Sequence, residues 1–402
     1  MRLAFPVIYL LILIFLTDFL SIRYLLLIFR KKCISLRFRL TISIILSSIF
    51  LILVLYIKWE TDRSVILPYA FLFQLFSVFI FFYVPRILLI VFGFIYDLLF
   101  FIKKRWVPKS ILIFGFSMST LLSLIILHGI FIGRDMYQVN KVEIPANIPQ
   151  AFDGLKIVQI SDLHLGSYGN NRKPLSEAIR IINELNPDMI VFTGDIVNNY
   201  ALETIPFIDV FKQLNKPPLG MFAVLGNHDF SDYSSWSDEN KKQKNSALIE
   251  EFLKSSGFQV LRNKYQFVFI EKDSLCIAGV DNWGIPPFKK YGNLPNAMTD
   301  IDESSPVILL SHNPTHWRGE VLDYKNIFLT LSGHTHGMQM GIETSFFTWS
   351  PVKYMYKEWQ GLYTSNDQYL YVNKGLGFIG FSARIGMYPE ITLITLKKRS
   401  LN

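Results

Sequence analysis

The sequence predicts an all-α membrane-spanning region followed by a layered α/β domain. Three observations support this prediction. Residues 1–134 are dominated by long apolar runs, residues 153–402 alternate short β-rich runs with amphipathic segments, and the charge changes sign between the two parts. We therefore divide the chain into a transmembrane region of about four helices (1–134), a linker (135–152) and a folded α/β domain (153–402).

Four runs in the first part are almost continuously apolar: 3–29, 40–57, 65–102 and 111–132. A helix needs roughly 20 apolar residues to cross a bilayer, so about four spans are expected. The third run is longer than one simple span, and Pro85 is expected to divide it into a spanning helix and an interfacial or tilted segment. The first run is not followed by a small-residue cleavage site, which argues against a cleaved signal peptide.

The positive charge belongs to the membrane region. Residues 1–150 hold 16 Lys and Arg against 6 Asp and Glu, whereas residues 151–402 hold 24 against 26. The second part therefore lacks the basic surface of a nucleic-acid-binding protein. Basic residues concentrate at 30–39 and 103–109, and short basic loops stay in the cytoplasm. We expect a multi-pass protein of the cell or inner membrane, with the chain after about Arg134 on the extracytoplasmic side.

Two acids, Asp18 and Asp97, lie inside apolar runs. An ionisable residue in such a position is a functional candidate by default, because it is costly in hydrocarbon. No motif connects either acid with a particular chemistry.

The second part carries nine apolar, strand-like runs. Four lie at 266–270, 274–280, 368–373 and 391–396, and the five that matter for the site lie at 155–160, 188–193, 220–225, 306–311 and 326–331. Between the first two of these five, residues 173–186 place apolar side chains at helical spacing, which predicts an intervening helix. Strands that alternate with helices indicate a layered α/β domain. Each of the five runs is followed at once by polar residues, which are Asp162 and His164; Asp195; Asn227, His228 and Asp229; His312; and His334 and His336.

The recurrence of these residues after strands indicates a metal site. One histidine near a strand end is usually an ordinary hydrogen-bonded residue, but the carboxyl ends of strands in an open α/β sheet are where ligands bind. Imidazoles and carboxylates suit manganese, iron or zinc, and clustered cysteines, which would indicate a structural zinc finger, are absent from the sequence. One bridging carboxylate can hold two ions roughly 3.5–4 Å apart.

These segments resemble the five-motif signature of the calcineurin-like metallophosphoesterases, in a membrane-anchored bacterial-type branch, over roughly residues 153–396. They read "SDLH", "GD", "GNHD", "SH" and "GHTH". The resemblance implies a β-sandwich flanked by helices. It also implies two divalent metal ions, the first bound by Asp162, His164, Asp195 and His336, and the second bound by Asp195, Asn227, His312 and His334.

The resemblance further implies a mechanism, in which a water or hydroxide shared by the two ions attacks a phosphodiester or phosphomonoester. It implies that His228 stabilises the phosphoryl oxygens or protonates the leaving group, and that Asp229 orients His228. The chain departs from the common family pattern "GHTHGGQ" by placing Met338 at the second glycine. Arg384 is expected either to contact substrate phosphate or to form a surface salt bridge.

The leading hypothesis is a membrane-anchored, metal-dependent phosphoester hydrolase. Its anchor and the aromatic residues at 344–349 and 354–359 favour a lipid-linked substrate. Two alternatives remain open: a binding or scaffold protein that keeps the fold without turnover, and a channel or transporter with a regulatory metallophosphoesterase-fold domain. The sequence leaves the oligomeric state, the metal and the exact substrate undetermined.

Overall fold

The computed structural model describes residues 4–29, 35–63, 68–103, 107–286 and 289–399. Parts of the two predicted basic loops, at 30–34 and 104–106, lie outside these residues. The chain divides into two compact units. One comprises Met1–Leu67 and Gln74–Ile130, and the other comprises Pro68–Phe73 and Phe131–Asn402.

Long apolar helices form most of the first unit. Among the described residues they are α1 (Ala4–Ile28), α2 (Leu36–Arg63), α3 (Tyr69–Lys103) and α4 (Ser110–Phe131). Each is long and apolar enough to cross a membrane. The expected count of about four spans therefore agrees with the helices that the structure describes.

The expected break at Pro85 is wrong. Helix α3 continues through this residue and runs for 35 residues without interruption. Proline removes one backbone donor, which in a soluble helix commonly ends or kinks the helix. In hydrocarbon, however, an interrupted helix would leave several backbone groups without partners, so a continuous helix is favoured even across a proline.

Ion pairs connect α1 with α3. Arg23 donates from Nη2 to Asp97 Oδ1 at 2.9 Å, and the Tyr24 hydroxyl donates to the same carboxylate at 2.8 Å. Arg86 donates to Asp18, whose side chain is buried. Both acids of the apolar runs therefore have a cationic partner, which is the usual way in which charge is accommodated inside a membrane region.

The second unit is built on two six-stranded sheets, in the orders β1-β14-β2-β3-β4-β5 and β12-β13-β9-β8-β7-β6. The described strands are β1 (Gln138–Ala146), β2 (Lys156–Ile160), β3 (Met189–Phe192), β4 (Met221–Ala223), β5 (Gln259–Val260), β6 (Lys264–Ile270), β7 (Asp273–Val280), β8 (Val307–Ser311), β9 (Ile327–Ser332), β10 (Ile342–Glu343), β11 (Thr348–Trp349), β12 (Gly361–Ser365), β13 (Gln368–Val372) and β14 (Glu390–Lys398). The α-helices described in this part are α5 (Lys173–Glu184), α6 (Ile208–Phe211), α7 (Glu239–Ser255), α8 (Leu294–Ala297) and α9 (Thr315–Gly319).

The two sheets pack face to face, as the alternation of side chains along their strands requires. Ile157 and Val191 point into a core shared with Ile308 of the second sheet. Their neighbours Val158 and Ile190 point outward and pack in a separate core with α5, α6 and α7. The outer face of the second sheet packs on α8 and α9. The predicted β-sandwich flanked by helices is confirmed.

The segment predicted as a linker contributes a strand. Strand β1 lies parallel to β14, with Gln138 opposite Glu390. The side chains of Ile144 and Ala146 are buried in the core between the sheets. Pro145 argues against a strand in the sequence, because proline cannot donate a backbone hydrogen bond. However, β1 is an edge strand, where a missing backbone donor is tolerated.

Candidate metal centre

The five predicted strands that matter for the site are β2, β3, β4, β8 and β9, with ends within two residues of the predicted positions. Strands β2, β3 and β4 are mutually parallel, as are β8 and β9, so within each sheet the carboxyl ends meet at one edge. The loops that follow them bring all seven predicted metal ligands together. Five of these ligands have left-handed backbone angles: Asp162, His164, Asp195, His334 and His336. Such strain in residues other than glycine is typical of functional sites.

Three of the side chains form what we call the first donor group: Asp162, His164 and His336. All three are buried, and their ligand atoms lie within 4.8 Å of one another. The Nε2 atoms of His164 and His336 are 3.1 Å apart, and His336 Nε2 is 3.4 Å from Asp162 Oδ1. Donor atoms of this kind, converging on one point, are suited to a cation.

The second donor group consists of Asp195, His312 and His334. His312 Nε2 lies 3.2 Å from Asp195 Oδ2 and 3.2 Å from His334 Nδ1. Asn227 adds an amide oxygen, because its Oδ1 lies 3.0 Å from His312 Nε2. The predicted set for the second ion is therefore also gathered in one place.

Asp195 stands between the two donor groups. Its Oδ2 is 3.2 Å from His312 Nε2 in the second group and 3.6 Å from His164 Nε2 in the first. Its other oxygen, Oδ1, accepts from the backbone N–H of His228 at 2.9 Å. A single carboxylate thus faces both groups, as a bridging ligand must.

The charge state of two of the ligand histidines, His164 and His334, also suits metal binding. Burial lowers the pKa of His164 to about 3 and that of His334 to about 3, so both rings are neutral at pH 7 and carry a lone pair. Neutral imidazoles that face each other across a buried space are stabilised by a shared cation. With the carboxylates they form donor sets of the kind that manganese, iron and zinc accept. The residues present therefore fit two divalent cations.

Polar partners fix how these rings are turned. His312 Nδ1 lies 2.7 Å from the carbonyl oxygen of Thr193, which leaves Nε2 for the donor group. His334 Nε2 lies 2.9 Å from the hydroxyl of Tyr356, which leaves Nδ1. Partners of this kind orient metal ligands and set their basicity. Sequence reasoning missed Tyr356, because no motif or spacing connects it with His334.

The backbone of Gly333 lies so close to Ser161 and Asp162 that only glycine fits before His334. A Cβ added at Gly333 would lie 2.0 Å from Ser161 Oγ and 2.2 Å from Asp162 Oδ2. No side chain fits there while Asp162 keeps its position. The glycine thus allows the last motif to lie directly against the first.

His228 lies beside the donor groups. Its ring packs edge-on against His164, with centroids 4.9 Å apart, and stacks on Tyr233 at 4.4 Å. Its Nδ1 lies 2.7 Å from the carbonyl oxygen of Asn198. Tyr233 also accepts from the Asn227 amide nitrogen at 2.8 Å, which turns the amide oxygen towards His312.

Asp229 does not orient the His228 ring by direct contact, because the described partner of the ring is the Asn198 carbonyl. The buried Asp229 carboxylate accepts from the backbone N–H groups of Asp195 at 2.8 Å, Ile196 at 2.9 Å and Gly226 at 2.9 Å. It therefore holds together the turns after β3 and β4. The adjacent position of Asp229 in the sequence suggested a contact with the His228 ring, but Asn198 makes that contact instead.

The expectation that Arg384 forms a surface salt bridge is wrong. Its side chain is fully buried and donates to the carbonyl oxygens of Gly377 at 2.8 Å and Lys374 at 2.9 Å, which braces the loop after β13. Its Nη2 also lies 3.4 Å from Nδ1 of the predicted ligand His336, and a contact with substrate phosphate stays a prediction. Met338, which replaces a glycine of the common pattern, keeps a left-handed backbone, with φ of 53°, and has a partly exposed side chain.

A two-sheet sandwich with two donor groups at its strand ends, joined by one aspartate, defines the class of metal-dependent phosphoester hydrolases. The chain belongs to the calcineurin-like phosphoesterase family, whose model matches residues 155–338. The resemblance found in the sequence is thereby confirmed.

Three relatives show how far the similarity extends. A transmembrane protein with metallophosphoesterase domain from Danio rerio is 31% identical over 300 residues, which cover 71% of this chain and 64% of the relative. The metallophosphoesterase YkuE of Bacillus subtilis is 35% identical over 261 residues, covering 62% and 82%. The UDP-2,3-diacylglucosamine pyrophosphatase LpxG of Chlamydia trachomatis is 30% identical over 298 residues, covering 62% and 86%. This chain thus spans less than two thirds of the zebrafish protein.

Proposed function

We propose that this membrane protein hydrolyses a lipid-linked phosphoester or pyrophosphate with two divalent cations held by the donor groups. The position of Asp195 carries the proposal. Its carboxylate lies against a ligand histidine of each group, at 3.6 Å and 3.2 Å. A structural metal site needs one closed set of ligands, whereas paired sites with a shared carboxylate serve hydrolysis.

The assignment of ligands follows from these contacts. Asp162, His164, Asp195 and His336 would hold one cation, and Asp195, Asn227, His312 and His334 would hold the other. Two divalent cations bound there would supply Lewis-acid charge that activates water and neutralises the phosphoryl oxygens. Manganese, iron and zinc all suit such ligands.

His228 is proposed as the acid that serves the leaving group. Its Nδ1–H is directed to the Asn198 carbonyl, so Nε2 is the ring atom that can exchange a proton with substrate. As water forms a bond to phosphorus, the bond from phosphorus to the leaving oxygen breaks, and that oxygen takes the proton from His228 Nε2. A positioned group of this kind typically contributes about 10²–10⁴-fold to the rate.

Asp229 supports the reaction without contacting substrate. Through its bonds to the backbone of Asp195 and Gly226 it fixes the loops that carry the bridging carboxylate and His228. We propose it as a positioning residue.

The substrate class is supported by two observations. The part of the chain that the structure describes has four helices able to cross a membrane, and such helices would keep the domain near lipid. A relative that covers 62% of this chain is named for the cleavage of a diacylated sugar nucleotide pyrophosphate. A phosphoester or pyrophosphate attached to a lipid is therefore the preferred substrate.

The test uses the full chain, purified in detergent and incubated with manganese, iron or zinc. Bound metal is counted by elemental analysis, and release of phosphate or of the alcohol is followed for soluble phosphomonoesters, soluble phosphodiesters and lipid pyrophosphates. We expect two ions per chain and the highest kcat/KM for a lipid-linked compound. Two bound ions with no turnover of any compound would favour the scaffold alternative.

Asp195→Asn is the decisive variant, because it weakens the ligand that both cations share. Activity should be lost, and bound metal should fall from two ions towards one or none. Asp209→Asn is the matched control, since the Asp209 carboxylate is exposed and pairs with Lys212. Full activity with two ions in Asp195→Asn would overturn the metal assignment.

A further inference from the structure

An apolar surface lies on the segment 342–355, which follows the last metal-ligand motif and contains the two-stranded sheet of β10 and β11. We call it the hairpin surface; it consists of Ile342, Phe346, Phe347, Tyr354 and Met355. Phe346 is 98% exposed, Tyr354 75% and Met355 71%. Scattered exposed apolar residues are ordinary, but several large ones within fourteen positions of the chain mark an interaction surface.

The structure holds these side chains outward by ordered backbone contacts. Strands β10 and β11 pair, with Ile342 opposite Trp349. The turn between them is closed by Thr344, whose backbone N–H donates to the Phe347 carbonyl at 2.9 Å and whose hydroxyl oxygen accepts from Phe347 N–H at 3.0 Å. Phe346 is therefore fixed at the tip of a formed turn.

The charges around the hairpin surface are unevenly arranged. The acids Glu343 and Glu358 are each paired, with Lys374 and Arg318 respectively. Lys353 and Lys357, in contrast, are exposed in the same segment as Tyr354 and Met355. Aromatic residues beside exposed lysines suit the headgroup region of a bilayer, where rings enter the acyl boundary and ammonium groups meet lipid phosphates.

The base of the hairpin is connected by backbone contacts to the residues that follow α4 in the chain. Helix α4 ends at Phe131, and Gly133 packs so closely on the Arg384 carbonyl that a Cβ would lie 2.3 Å from it. The next residue, Ile385, accepts from the backbone N–H of Gly341 at 2.8 Å, at the base of the hairpin. Glu343 and Gln138 line one cleft of about 420 Å³. Chain connectivity therefore keeps the hairpin within reach of the bilayer.

The hairpin surface is also joined to the metal centre. Tyr356, which follows Met355, has its hydroxyl 2.9 Å from His334 Nε2. The side chain of Tyr356 thus connects the segment that carries Tyr354 and Met355 with a predicted metal ligand. A molecule that binds to the hairpin surface would therefore lie beside the metal centre.

We propose that the hairpin surface inserts into the bilayer interface and holds the metal centre at the lipid surface. The occupant is the membrane itself, with Phe346 and Phe347 in the acyl boundary and Lys353 and Lys357 at anionic headgroups. This goes beyond the proposed hydrolysis and does not depend on it, because insertion is measured without turnover. It would give a lipid-linked phosphoester direct access from the bilayer.

The experiment uses the full chain in nanodiscs of phosphatidylcholine and phosphatidylglycerol. A fluorophore sensitive to polarity is attached at Phe346→Cys, in a Cys33→Ser background; the remaining cysteine, Cys276, is buried. Phe269→Cys is the matched control, because Phe269 is 63% exposed on β6, the edge strand of the second sheet. Both substitutions are at exposed side chains, so folding is retained.

We expect the label at position 346 to shift its emission to shorter wavelength, to be quenched by nitroxide lipids and to be shielded from aqueous iodide. The label at position 269 should show the reverse. Equal access of iodide to both labels, without quenching by nitroxide lipids, would overturn the proposal. A shift to shorter wavelength at position 346 without lipid quenching would also overturn it, since it would indicate contact with protein, such as a second copy of the chain.

Discussion

The Nδ1 atom of His228 lies 2.7 Å from the carbonyl oxygen of Asn198. A carbonyl only accepts, so Nδ1 is the donor in this contact, and Nε2 is the ring atom left to face substrate. The backbone N–H of the same residue donates to the bridging Asp195 at 2.9 Å. His228 is therefore tied to the metal centre by its backbone, while its ring remains available to substrate.

His228→Ala should lower kcat by roughly 10²–10⁴, the usual contribution of a positioned acid or base. Its bound metal should stay at the value of the unaltered chain, because the backbone contact to Asp195 survives the substitution. Elemental analysis and steady-state kinetics on the same preparation measure both quantities. If the variant loses an ion, His228 belongs to the ligand set and its proposed role is wrong.

Asp229→Ala should destabilise the fold instead of affecting catalysis alone. It removes the acceptor of three close backbone bonds, from Asp195, Ile196 and Gly226. Each buried N–H left without a partner costs ~1–3 kcal/mol, so we expect the free energy of unfolding to fall by about 3 kcal/mol or more. Thermal melting of the full chain in detergent measures this, with Asp209→Ala as the exposed control. Unchanged melting of Asp229→Ala would show that other groups hold the two turns.

The position of the site could be predicted from sequence because it depends on local order. Apolar runs of strand length end at polar residues such as Asp162, Asp195 and His334, and parallel strands bring those ends to one edge. The contact from Tyr356 to His334 spans 22 residues and depends on how an irregular loop folds back. Nothing in the spacing of the sequence encodes that contact. The contact from Asn198 to His228 uses a backbone carbonyl, which every residue possesses.

Two features of the fold were hidden for a similar reason. Strand β1 forms by pairing with β14, and the paired residues Gln138 and Glu390 are 252 residues apart in the chain. The low helix propensity of proline predicts a break at Pro85, whereas apolar surroundings favour a continuous α3. The formation of β1 depends on a strand far along the chain, and the continuity of α3 depends on its apolar surroundings. Neither can be predicted from the local sequence alone.

The ion pair between Arg23 and Asp97 should contribute to the stability of the membrane unit. Arg23→Ala and Asp97→Ala each leave a charge without its partner, and each should lower the melting temperature in detergent. The double variant should lose less than the sum of the two, with a coupling energy of about 0.5–3 kcal/mol for groups in contact. Phe101→Ala, at an exposed position of α3, serves as the control. Strictly additive losses would mean that the pair makes no net contribution.

Membrane orientation decides which substrates the domain can meet. The basic clusters at 30–39 and 103–109 follow α1 and α3 respectively. Since α3 is one helix and not two, α2 and α3 would together place both clusters on the same side of a bilayer if each crosses it once. Translocating either cluster would oppose the bias that orients short loops, so both are expected in the cytoplasm.

On this topology the chain would cross once more in α4, and we predict that residues 140–402 face the periplasm or cell exterior. Around the exit, Arg134 and Lys141 are offset by Asp135 and Glu143, so no excess of basic residues retains this segment inside. A reporter fused after Asn402 that is active only outside the cytoplasm should be active. Protease added to spheroplasts should digest the domain while a cytoplasmic marker protein stays intact. If the domain is protected until the membrane is broken, the orientation is the reverse, and the substrate must be a phosphoester on the cytoplasmic face of the membrane.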